Sequence, residues 1–195
     1  TYSRAYGVND QGDSFDLGDI DNGGGSVHGL TLAYAADTYS IAASFESGNG
    51  DIESTDLNVE LSATYTGIEN LAIGGGYVFD NATGAALERN LFNLHAAYTA
   101  GKALLAAEYI SADDEDTTTG EDAFMILVDY DFTDKLGGAI RYSEYEFDNS
   151  TESEKFTFAP NYAITESLGS IIEYSAEDRA GVDIDTIAVE LTYTF

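Results

Sequence analysis

Residues 29–48 read GLTLAYAADTYSIAASFESG, two alternating segments joined by a short polar turn. On each side of Asp37 and Thr38, an apolar or aromatic residue occupies every second position. Such alternation is typical of β-strands, because successive side chains of a strand point to opposite faces of a sheet. Two such segments with a tight turn between them predict an antiparallel β-hairpin.

The same pattern continues along the chain and predicts an all-β protein of antiparallel strands. The predicted strands are 26–36, 38–47, 55–66, 70–80, 88–98, 102–111, 122–132, 135–147, 154–164, 167–176 and 184–195. Tight turns are predicted at Asp37–Thr38, Gly67–Asn70, Thr99–Lys102, Thr133–Lys135 and Thr165–Ser167, and longer polar loops at 48–54, 81–87, 112–121, 148–153 and 177–183. Short turns at one end of a sheet and longer loops at the other are typical of outer-membrane barrels.

Composition narrows the class of protein. The 195 residues include 36 acidic and 7 basic side chains, for a formal net charge of -29, and no cysteine. The charge argues against nucleic acid as a partner, because phosphate binding needs a basic surface. Without cysteine, a disulfide framework is excluded. No apolar run approaches the roughly 20 residues of a membrane helix, whereas a barrel strand needs only about 9–11.

The two faces of the predicted strands differ in charge. Every second residue of each strand points to one face, and the residues of this first set (one parity) are uncharged. Aromatic residues of this set lie near both strand ends and aliphatic residues lie between them, which is the arrangement at the two interfaces of a membrane barrel. The opposite parity is polar, and the residues predicted to line a lumen are Glu60, His95, Glu108, Asp129, Glu173 and Glu190. This pattern favours a transmembrane barrel over a soluble sandwich, whose large aromatics would be central.

Two positions fit this pattern less well. Pro160 lies inside a predicted strand, where a proline favours a bulge. Tyr145 and Phe147 fall on the polar parity, so the strand 135–147 is expected to rise above the membrane there or to bulge. Residues 1–25 show no alternation and are predicted to be one long, acidic, glycine-rich loop.

The sequence resembles the general diffusion porins of Gram-negative bacteria, and most closely their alphaproteobacterial type. The resemblance is strongest in three stretches: residues 29–48, NLAIGGGYVFD at 70–80 and VELTYTF at 189–195. It implies a sixteen-stranded, homotrimeric barrel in the bacterial outer membrane, in contact with lipid and lipopolysaccharide. It also implies that about five strands precede Thr1, that 1–25 is the constriction loop inside the lumen, and that Tyr193 and Phe195 belong to the C-terminal assembly signal.

The resemblance further implies a charged pore constriction. Its acidic side would be Asp10, Asp13, Asp16, Asp19 and Asp21, and its basic side would be Arg89, Arg141 and Lys155. Alternatively, these bases pair with acids of the wall such as Glu108, Asp129 and Glu173.

Calcium near the constriction loop is a further implication, with Asp13, Asp16 and Asp19 as ligands, because carboxylates are hard oxygen donors. Acidic runs also occur at 113–116 and 183–185. None has the spacing of a dedicated calcium loop, so solvated acidic loops are the alternative.

The expected function is therefore passive diffusion of small hydrophilic solutes and ions through a water-filled pore that prefers cations, with no required cofactor. No enzyme is expected: Ser62 and His95 fall on non-adjacent strands, and a Ser-His-acid site needs all three groups in contact. Two alternatives stay open, a substrate-specific outer-membrane channel and a soluble acidic β-sandwich that acts in adhesion or calcium binding.

Overall fold

The computed structural model describes residues 29–47, 57–80, 89–114, 120–147 and 152–194. These residues form one antiparallel sheet of eleven strands that follow one another in sequence order. The strands are β1 (Gly29–Ala35), β2 (Tyr39–Ser47), β3 (Leu57–Ile68), β4 (Leu71–Asp80), β5 (Arg89–Ala100), β6 (Ala103–Asp114), β7 (Glu121–Asp131), β8 (Leu136–Phe147), β9 (Glu152–Ala163), β10 (Leu168–Arg179) and β11 (Val182–Tyr193). Within the described ranges, no helix is long and apolar enough to span a membrane.

Each strand pairs with its neighbours in the register that the alternation predicts. Leu30 faces Phe45 and Leu32 faces Ala43, so β1 and β2 place their apolar residues on the same side of the sheet. Since a slip of one residue would move every side chain to the other face, this pattern specifies the register strongly. The predicted fold class, all-β with eleven antiparallel strands, is confirmed.

All five predicted tight turns are present, and two of them use the same side-chain device. The hydroxyl of Thr133 accepts a hydrogen bond from the Leu136 backbone amide at 2.9 Å. The hydroxyl of Thr165 accepts one from the Leu168 amide at 3.0 Å. A threonine at the start of each turn thus satisfies the first amide of the next strand, which favours a tight connection.

The predicted loop at 177–183 is wrong. β10 continues to Arg179, and β11 begins at Val182 after a turn of only Ala180 and Gly181. Their φ angles are 54° and 81°, as in the two-residue turns that match the twist of a hairpin. Alternation continues here in polar residues, so the strand persists where the apolar signal stops. For the same reason β6 extends to Asp114, β7 begins at Glu121 and β9 begins at Glu152.

The predicted bulge at Pro160 is also wrong. Pro160 lies opposite Gly138 in an unbroken register with β8. On the other side, the pairing of β9 with β10 skips two positions and resumes in the same register at Phe158 and Tyr174. An added Cβ on Gly138 would lie 3.3 Å from the Pro160 Cα, so the glycine gives the proline room.

The strand β8 also runs without a bulge past Tyr145, which faces Ser153 in the regular register. A register shift occurs instead in the pairing of β3 with β4, between Tyr65 and Ile68.

The side of the sheet that presents the alternating apolar residues, here called the apolar face, is exposed. Ile172 is 53% exposed and Ile187 is 74% exposed, and large aliphatic and aromatic side chains from every strand share this condition. A soluble monomer rarely exposes a continuous apolar surface of more than a few hundred Å². The apolar face therefore fits a non-aqueous surrounding.

Aromatic residues form two rows on the apolar face, one near each end of the strands. Next to the tight turns, the rings of Tyr34 and Tyr39 lie 5.9 Å apart. Towards the opposite end, the rings of Phe124 and Tyr142 lie 5.8 Å apart. Aliphatic residues and alanines occupy the positions between, as the sequence predicts.

Candidate functional site

The opposite side of the sheet, here called the polar face, holds the buried residues. On β6 to β10 these include Glu108, Arg141, Ser143, Ser153, Thr157, Ser175 and Glu177. Every one of them alternates with a residue of the apolar face in the strand registers. The buried charged and hydroxyl groups of these strands thus lie on one side of the sheet, and that side is the candidate functional surface.

The five acids and the one histidine predicted to line a lumen all lie on the polar face. Glu60 is opposite Ser44 and Val78, and Glu190 is opposite Ile171. Asp129 is opposite Leu104 and Ala139. Glu173 is on β10 and is opposite Ala188 of β11.

His95 and Glu108 are direct cross-strand partners on β5 and β6. The amide of Asn93 donates a hydrogen bond to Glu108 at 2.9 Å. On its other side His95 lies over Gly74, where an added Cβ would approach the His95 Nε2 atom to 2.6 Å. Its Nδ1 atom is buried without a hydrogen-bond partner among the described residues. Ser62 is on β3, with β4 between it and His95, so these residues form no Ser-His-acid arrangement.

An apolar cluster interrupts the polar face on β6, β7 and β8. Its buried members are Ile110, Ala123, Met125 and Tyr145, and Leu91 and Leu127 pack against them. Met125 is only 2% exposed. The sequence contained one signal for this cluster: Tyr145 falls among the residues of the polar face. That position was interpreted as a strand that rises above the membrane or bulges.

Three basic residues occupy neighbouring strands of the polar face. Arg141 on β8 is opposite Thr157 on β9. Lys155, two residues before Thr157, is opposite Glu177 on β10. Arg179 follows, and its Nε atom donates to Glu177 Oε1 at 2.6 Å. Each base is thus a diagonal neighbour of the next, at about 7–8 Å between Cα atoms.

Glu177 and Arg179 were missed because the sequence places them in a loop. Their polar alternation with Glu173 and Ser175 was the available signal. The third predicted wall base, Arg89, is distant from this group, because it lies on β5 opposite Asp80 and Asp114. The structure therefore brings Arg141 and Lys155 together and leaves Arg89 apart.

A belt of carboxylates borders the apolar face beyond its second aromatic row. Tyrosine hydroxyls of that row donate hydrogen bonds to these carboxylates, from Tyr109 to Asp122 at 2.7 Å and from Tyr174 to Asp185 at 2.7 Å. Glu144, Glu152 and Glu154 offer carboxylate oxygens that lie within 4.8 Å of one another.

The predicted calcium ligands Asp13, Asp16 and Asp19, the constriction residues Asp10 and Asp21, and the C-terminal Phe195 lie outside the described residues.

No family model and no curated protein matches the sequence, but its structure is similar to solved porins. A porin refined at 1.8 Å resolution has a TM-score of 0.74 at 17% identity, over 93% of this chain and 66% of the solved one. The anion-selective porin of Comamonas acidovorans has a TM-score of 0.71 at 11% identity, over 85% of this chain and 59% of the solved one. The trimer form of OmpT, an outer membrane protein of Vibrio cholerae, has a TM-score of 0.61 at 18% identity, over 85% of this chain and 64% of the solved one.

These similarities establish the fold: the eleven strands are those of a porin-type barrel wall. The chain spans about two thirds or less of the length of each of these structures. In such a wall the outward face is apolar between two aromatic girdles and the inner face is polar. The apolar face therefore corresponds to the outside of the barrel and the polar face to its lumen side.

Proposed function

We propose that this chain forms the wall of a bacterial outer-membrane porin, through which small hydrophilic solutes and ions diffuse passively. The main support is the apolar face, which stays exposed across all eleven strands between two rows of aromatic side chains. A lipid bilayer is the surrounding that makes such a surface favourable, and its interfaces are where tyrosine and phenylalanine concentrate.

The pore is proposed to prefer cations. Acids outnumber bases by 36 to 7 in the chain, and Glu60, Asp129, Glu173 and Glu190 lie on the lumen side. Charge on a pore wall determines which ions are held there. Because one protein of this fold is named as anion-selective, the fold alone leaves selectivity open, and the charge of this wall is the argument for cations.

We also propose the constriction that the sequence resemblance implies, with Asp10, Asp13, Asp16, Asp19 and Asp21 facing Arg89, Arg141 and Lys155. Calcium binding by Asp13, Asp16 and Asp19 belongs to the same proposal. Equilibrium dialysis with calcium tests it: Asp13→Asn with Asp16→Asn should abolish a site that Asp134→Asn, in an exposed tight turn, leaves intact.

Further parts of the proposal are the alphaproteobacterial type, a homotrimer and contact with outer-membrane lipid and lipopolysaccharide. The trimer is supported by the similarity to a protein described in a trimer form. Tyr193 and Phe195 are proposed to act in assembly, and Phe195→Ala should lower the amount of folded protein in the outer membrane. Tyr39→Ala, in the aromatic row beside the tight turns, is its control.

Planar-bilayer recording tests the central proposal. We expect stepwise conductance. In a KCl gradient, we expect a reversal potential that indicates a higher permeability for K⁺ than for Cl⁻. Absence of steps from folded protein would contradict the pore, and a Cl⁻ preference would contradict the selectivity. Saturable transport of one solute class would favour the substrate-specific channel, and folding in water without detergent would favour the soluble adhesion or calcium-binding module.

A further inference from the structure

The lumen side of β8, β9 and β10 differs from the rest of the polar face in combining bases with small hydroxyl residues. Arg141 is opposite Thr157, which in turn is opposite Ser175. Ser143 is opposite Lys155 one step further along the strands. Directly opposed residues of neighbouring strands lie about 4.5–5.5 Å apart, so these groups share one small area.

Hydrogen-bonding groups in this area are withdrawn from water. Arg141, Ser143, Thr157 and Ser175 are buried, and Lys155 is half-buried. Thr157 is 4% exposed, and its hydroxyl has no hydrogen-bond partner among the described residues. A buried hydroxyl left without a partner costs about 1–3 kcal/mol, which a bound polar group would relieve.

The acids around this area lie at its borders. Glu177 is opposite Lys155 and accepts the hydrogen bond of Arg179. Asp129 and Glu173 lie one step nearer to the tight turns, where they flank Ala139 and Ala188. Arg141, Thr157 and Ser175 are therefore directly opposite one another and not opposite a carboxylate, whereas the ammonium group of Lys155 lies beside Glu177.

We propose that Arg141, Lys155, Thr157 and Ser175 form a subsite for the oxyanion group, phosphate or carboxylate, of solutes that pass along the lumen side. A guanidinium group and hydroxyl donors match an oxyanion, whose several oxygens accept hydrogen bonds in different directions. The subsite deepens the proposed pore function, since it retains one class of solute in a pore whose overall charge favours cations.

Binding of inorganic phosphate and of acetate to the full chain in detergent tests the subsite without any need for conduction. Isothermal titration at low ionic strength should detect phosphate binding, because added salt screens such a site. Lys155→Gln and Thr157→Val should each weaken it about fivefold or more. Lys102→Gln, in an exposed turn, and Thr64→Val, on the lumen side of β3, are the matched controls and should leave it unchanged.

Three results would overturn the subsite: no binding of either anion by the unaltered chain, no effect of Lys155→Gln and Thr157→Val, or an equal effect of Lys102→Gln. The last would assign the effect to overall charge. Tighter binding of phosphate or of acetate identifies which oxyanion the site takes. Conductance is recorded separately on the same samples, so phosphate binding without conductance would uphold the subsite and refute the pore.

Discussion

Two adjacent isoleucines on β10 offer a direct test of which face of the sheet contacts lipid. Ile172 is on the apolar face and is 53% exposed, whereas Ile171 is on the polar face and is 36% exposed. Ile172 is two residues from Tyr174 in one aromatic row and four from Leu168, which pairs with Tyr193 in the other. With about 3.3 Å per residue and a strand tilt of about 40°, Ile172 lies roughly 5 Å and 10 Å from these rows along the membrane normal.

Lysine is therefore expected to lower the free energy of unfolding by a different amount at each of the two positions. Near the middle of the bilayer a lysine on the lipid face costs about 2–4 kcal/mol, and the cost falls towards the interfaces. We expect about 2 kcal/mol for Ile172→Lys. Lysine at 171 would face Asn161 and Glu190, so Ile171→Lys should change stability by about 0.5 kcal/mol or less.

Urea titration of the protein folded in lipid vesicles measures this difference. The free energy of unfolding typically falls by about 1–3 kcal/mol per molar urea. Ile172→Lys should therefore lower the urea concentration at the unfolding midpoint by roughly 0.7–2 M, and Ile171→Lys should hardly change it. Equal shifts in the two variants, or a larger shift for Ile171→Lys, would refute the assignment of the faces and with it the proposed membrane location.

Three further predictions concern single features of the sheet and use the same urea assay. Ala180→Asn should stabilise the protein by about 1 kcal/mol, because Ala180 has a φ of 54° that alanine adopts at a cost and asparagine tolerates. Gly74→Ala should destabilise it by about 1–3 kcal/mol, because the added Cβ would lie 2.6 Å from His95 Nε2. Glu154→Gln should stabilise it by about 0.5 kcal/mol at low salt and by less at high salt, because Glu154 directly faces Glu144.

Each of these predictions has a matched control in the same sheet. Ala188→Asn places asparagine in the middle of β11 and should not stabilise. Gly169→Ala should cost little, because an added Cβ there meets no atom within 4 Å. Glu166→Gln removes an acid from an exposed turn and should be neutral. A variant that behaves like its control would contradict the corresponding explanation.

The strands and their faces were predictable because they depend on local alternation. Leu30 and Leu32, or Ile187 and Val189, identify a face without knowledge of any partner, since side chains of a strand alternate. The tight turns were predictable for a similar reason: Thr133 and Thr165 satisfy backbone groups only two or three residues away. Both signals lie within a few residues of chain.

The errors occurred where the outcome depends on a neighbouring strand. Glu177 and Arg179 were assigned to a loop because their segment lacks apolar residues, yet pairing with Lys155 and Ser153 keeps them in β10. Pro160 was predicted to cause a bulge, but Gly138 on the neighbouring strand leaves it enough room in a regular register. Neither partner is visible from the local sequence.

The sequence by itself determined an all-β chain with one apolar and one polar face, because hydrophobic alternation is a local property that any pairing must respect. The tertiary structure decided which polar groups meet. Arg141, Thr157 and Ser175 come from three strands and are 16 and 18 residues apart along the chain, and only the register of β8, β9 and β10 makes them neighbours. A binding surface on a sheet runs across its strands, so its composition follows from pairing and not from sequence order.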